Sequence, residues 1–114
     1  MAKKSSVYFG PPLMALTTGL RDGDSVSGKL NRTAERYLDI IKRQGLDLDE
    51  TEAMIIRNCL MGSVVEPLLI RHLADEVEDS EFMNTHPQTC KPLVERLRQA
   101  SFADLVATIE RLGF

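Results

Sequence analysis

Four side chains in this sequence could ligate a soft metal or serve as nucleophile and base: Cys59, His72, His86 and Cys90. His86 and Cys90 are four apart, but the other spacings match no standard zinc pattern, and Pro87 directly follows His86. Cys59 falls in a helical run, where a cysteine packs as a small hydrophobe. There is no His-x-x-Glu, no Gly-rich phosphate loop, and no Ser-His-Asp grouping with a supporting context. No metal, no cofactor and no enzymatic activity is therefore expected. Two cysteines do not make a disulfide framework, so free thiols in a cytoplasmic protein of bacterial, phage or plasmid origin are expected.

What remains is recognition by charge and hydrogen bonding. Net charge is −3, but it is split. Residues 1–45 carry eight Lys or Arg and four acids, for +4, and residues 46–114 carry six and thirteen, for −7. Only the first part is suited to meet a polyanion. Its polar candidates are Lys4, Ser6 and Tyr8 near the start, then Ser25, Val26, Ser27 and Lys29 around a turn. Arg32 and Arg36 follow at i, i+4 and read as a solvated or salt-bridged helix face rather than as DNA ligands.

These residues need elements to hold them. In SSVYFGPP, Val7 and Phe9 alternate with Ser6 and Tyr8, the period of a strand, and Pro11 and Pro12 end it. Basic Lys3 and Lys4 are followed by this interrupted stretch instead of an apolar run, so no secretory leader is expected. No window approaches the ~20 apolar residues of a membrane span. A first helix carries Leu13, Leu16 and Leu20 for about three turns and stops at Asp22-Gly23. A second, capped by Ser25 with Ser27 as the rival, carries Val26, Leu30, Ala34, Leu38 and Ile41 on one face and stops at Gly45. A third opens at Asp49 with Glu52 as a capping box. A fourth runs from about Val64 to Glu78, with Pro67 near its start. DEVEDSE (75–81) reads as a solvated acidic helix end. FMNTHPQTCKP (82–92) reads as irregular, a fifth helix begins at Pro92, and Ser101 with Asp104 caps the last.

A lone strand leaves N–H and C=O groups unpaired on both edges. The same strand from a second copy is the simplest partner, giving an antiparallel ribbon about a two-fold axis. Strand, Pro, short helix, Gly-x-Ser turn and long helix over residues 4–45 resemble the ribbon-helix-helix DNA-binding family of the Arc/MetJ type. The resemblance implies a mainly α fold with an intermolecular two-stranded ribbon, followed by a C-terminal helical extension. It implies base readout by Lys4, Ser6 and Tyr8 in the major groove. It implies phosphate clamping by Ser25 and Val26, with Ser27 and Lys29 close by. Its dimer core would be Val7, Phe9, Leu30, Ala34 and Leu38.

The expectation is thus two parts. Residues 1–45 form a DNA-binding and dimerisation module, and residues 46–114 an acidic all-helical region that extends the dimer, joins dimers on DNA or recruits a protein partner. The function expected first is a homodimeric, sequence-specific DNA-binding protein, most simply a transcriptional repressor. A partition or conjugation adaptor with the same DNA module is the second reading. A helical protein-interaction module without DNA binding is the third.

Overall fold

The computed structural model describes residues 8–114. Among these residues the regular structure is entirely helical: α1 (Pro11–Thr17), α2 (Val26–Arg43), α3 (Glu50–Leu60), α4 (Pro67–Arg71), α5 (Leu73–Glu78), α6 (Phe82–Thr85), α7 (Pro87–Gln99) and α8 (Phe102–Arg111). The expected ribbon is overturned. Tyr8, Phe9 and Gly10 are non-helical and belong to no strand, while Val7 and the residues before it lie outside the described ones. The residue directly before a proline is pushed to extended backbone whether or not it pairs. Gly10 is extended (φ −74°, ψ 177°) and caps α1, with Pro11 and Pro12 in the first turn.

The chain divides into two compact units, Met1–Leu38 and Asp39–Phe114. In the first, α1 is shorter than the leucine spacing predicted. The Thr17 hydroxyl donates to Leu13 O (3.0 Å) and the Thr18 hydroxyl to Met14 O (2.7 Å). These bonds occupy the last carbonyls of the helix, Thr18 turns extended, and Gly19 follows at φ +70°. Leu20 therefore falls beyond the helix. Ser25 is the cap of α2, as expected: its Oγ accepts from Gly28 N at 3.0 Å. A side chain at position 28 would meet that Oγ at 2.9 Å, so glycine there leaves room for the cap. Neither α1 nor α2 contains a buried residue.

The second unit has a closed core. Ile55, Ile56 and Leu60 of α3, Leu73 and Val77 of α5, Cys90, Leu93 and Leu97 of α7, and Leu105 and Ile109 of α8 are all buried in one cluster. Asp49 and Glu52 form the predicted capping box, and Ser101 Oγ accepts from Asp104 N at 3.1 Å. Two predicted elements are corrected. The fourth helix is two, broken at His72 (φ −104°, ψ 19°). The stretch 82–92 is not irregular, because α7 starts at Pro87 and takes Pro92 within it. Pro87 occupies a first-turn position that lacks an intrahelical N–H partner anyway. Cys90, Leu93, Val94 and Leu97 keep a helical spacing across Pro92, and their burial outweighs the one lost bond.

The last turn of α2 belongs to this unit and is tied to α8. Gly45 N donates to Asp104 Oδ1 (3.0 Å), Leu46 N to Thr108 Oγ1 (2.9 Å), and Arg111 Nη2 to Ile41 O (3.1 Å). On the other side, Arg96 reaches Glu52 Oε2 (2.8 Å) and Asp47 O (2.6 Å), holding α7 to the cap of α3.

Candidate nucleic-acid interface

Within the first unit, the turn between α1 and α2 creates an open recess of about 370 Å³. Gly19 and Gly23 have positive φ, which brings Arg21 and Asp24 round to the start of α2. Lys29, Arg32 and Arg36 line the recess from α2, and Arg21 and Asp24 line it from the turn. The three α2 cations are spaced three and four apart, so they share one helix face. Asp24 bridges two of the four cations: Arg32 Nη2 lies 3.2 Å from Oδ1 and Arg21 Nε 3.7 Å from Oδ2. Arg36 donates to Thr33 Oγ1 at 3.4 Å. Among the described residues, neither Lys29 nor Arg36 has a carboxylate partner. One carboxylate among four cations leaves the recess positive. That is the electrostatic requirement for holding a phosphate.

The residues singled out from sequence are only partly brought together here. Lys29 lies in the recess, and Ser25 and Val26 stand at the adjoining start of α2. The first N–H groups of a helix have no intrahelical partner, and Ser25 takes that of Gly28. Ser27 is exposed in the same turn. Lys4 and Ser6 lie outside the described residues. Tyr8 is 87% exposed, and its ring folds back toward Gly10, where an added Cβ would meet Cε1 at 3.3 Å. With no ribbon to carry it, its assignment as a strand-borne base reader is withdrawn. Arg32 and Arg36, read from sequence as a solvated or salt-bridged face, are ion-paired to Asp24 and exposed respectively, and both also line the recess. Arg21 was not singled out. The three-four spacing of Lys29, Arg32 and Arg36 was the available signal.

The expected dimer core is not a core within one chain. Leu30 is half-buried, Ala34 is exposed, Leu38 is 55% exposed and Phe9 is exposed. Val7 lies outside the described residues.

The potential metal ligands do not assemble. Among the described residues no three His, Cys, Asp or Glu side chains form a metal-binding group. His86 meets Thr85 Oγ1 at 2.9 Å and tilts against the Phe82 ring. Burial pushes the Cys59 thiol up, opposed by a hydrogen bond with Ser80 and reinforced by Glu76. Burial raises Cys90 as well, with Cys59 adding to it. Raised thiols are poor nucleophiles at neutral pH. No helix among the described residues is long and apolar enough to cross a membrane. No known protein family matches the chain, and no characterised protein matches it.

Proposed function

We propose that the chain binds double-stranded DNA as a homodimer through its N-terminal unit, and acts by occupying its site, most simply as a transcriptional repressor. The observation that carries this reading is the α1–α2 recess, where Arg21, Lys29, Arg32 and Arg36 face a single carboxylate. The recess supplies phosphate contacts, which fix position and affinity, and it does not by itself read bases. The start of α2 adds N–H groups at Val26 and Ser27 to the same anion-binding surface.

What the first unit leaves exposed supports the dimer: neither α1 nor α2 contains a buried residue. Its cysteine count is zero, and its apolar side chains at Phe9, Met14, Leu16 and Leu38 are exposed in the single chain. A second copy covering the Leu30–Ala34–Leu38 stripe supplies the missing half.

Titration of a random-sequence duplex across salt concentrations tests the DNA reading. Affinity falls steeply with salt, with a log–log slope near −0.9 per phosphate neutralised. Arg36→Ala weakens binding to every sequence alike and lowers the slope by about one unit. Salt-insensitive or absent binding would instead favour the helical protein-interaction reading.

A further inference from the structure

We propose that the turn joining α3 to α4, with the outer face of α4, docks a basic amphipathic helix of a partner protein. This surface lies wholly in the second unit and stands independently of the DNA reading. Met61, Val64 and Leu68 are 72%, 80% and 67% exposed. Single exposed hydrophobes are ordinary, but a cluster rimmed by charge marks an interaction surface. Val64 and Leu68 line one open recess of about 350 Å³ with Leu69 and His72, and Met61 stands three residues ahead of Val64 at the end of α3.

The local fold does not require these side chains to be apolar. α4 places Ile70 in the core and half-buries Leu69, so Leu68 contributes nothing to the interior. Methionine adds an adaptable surface, suited to a helix stripe. The charge around the recess selects the partner. Asp75 and Glu78 are both held by Arg98, at 2.9 and 2.8 Å. Glu66 and Glu76 line the recess and have no ion pair among the described residues. An apolar stripe flanked by lysine or arginine satisfies both the leucines and these carboxylates, the helix-in-groove mode of recognition. An acidic amphipathic helix meets repulsion there.

Two synthetic helical peptides test this on the full chain. They share leucines at i, i+3, i+4 and i+7 and differ in carrying lysine or glutamate elsewhere. Followed by amide NMR, the lysine peptide shifts residues 61–69 and Glu76, and the glutamate peptide does not. Leu68→Asp weakens the lysine peptide roughly tenfold, and Val64→Asp does the same from a second exposed position. The double variant Glu66→Lys, Glu76→Lys reverses the peptide preference. Equal binding of both peptides, shifts confined to other surfaces, or full affinity in a folded Leu68→Asp chain overturns the proposal. So does loss of self-association in Leu68→Asp by sedimentation, which would assign the patch to a second copy.

Discussion

Gly45 shows how much one position can decide. It sits at φ +122°, where an L side chain is strained, and an added Cβ would lie 2.6 Å from Arg111 Nη1 and 3.4 Å from Ala107 Cβ. Its N–H is also committed to Asp104. Gly45→Ala is expected to cost about 1–3 kcal/mol in urea unfolding, from backbone strain plus the displaced arginine. The two causes separate in an Arg111→Ala background, where the steric part disappears and the backbone part stays. From sequence, Gly45 was legible as a helix stop. Its fit against Arg111 was not, because residues 66 positions apart share no local pattern. The same limit explains the cationic recess. Lys29, Arg32 and Arg36 have a readable spacing, but Asp24 and Arg21 join them only through two turns with positive-φ glycines.

Elements were legible where caps are local. Ser25, the Asp49–Glu52 box and Ser101 each set a helix start through residues three apart, and each was found where the sequence put it. Ends set by side chains bonding backward, such as Thr17 and Thr18 closing α1, gave no such signal. Proline misled at the fifth predicted helix, since α7 begins five residues before Pro92, and the alternation of apolar and polar side chains ahead of Pro11 read as a strand although Tyr8, Phe9 and Gly10 belong to none. Between elements, Arg98 of α7 grips Asp75 and Glu78 of α5. Arg98, and then His72, hold the Asp75 carboxyl below its ordinary value of 3.8. A depressed carboxylate contributes stability that is fully present above the ordinary value and lost as pH falls through the lower folded value. The carboxyl is half-exposed and screened by solvent, so the effect is small. The melting-temperature gap between the wild-type chain and Asp75→Asn should close as pH falls below about 3.8.

At the scale of the molecule, the two units differ in what they bury. The second has a core shared by α3, α5, α7 and α8, with no buried side-chain polar atom left unpartnered among the described residues. The first has no buried residue in either of its helices. Scanning calorimetry should therefore resolve two transitions, because a closed core is found in the second unit and no buried residue in α1 or α2. The lower one belongs to the N-terminal unit and should climb with protein concentration, as mass action requires of a structure completed by a second copy. Leu38→Asp should abolish the concentration dependence and leave the upper transition in place. A single, concentration-independent transition in the wild-type chain would show that the first unit completes itself. On the proposed dimer, the N-terminal half would act in the cell as an abundance gauge, engaging its target only as the expression level rises.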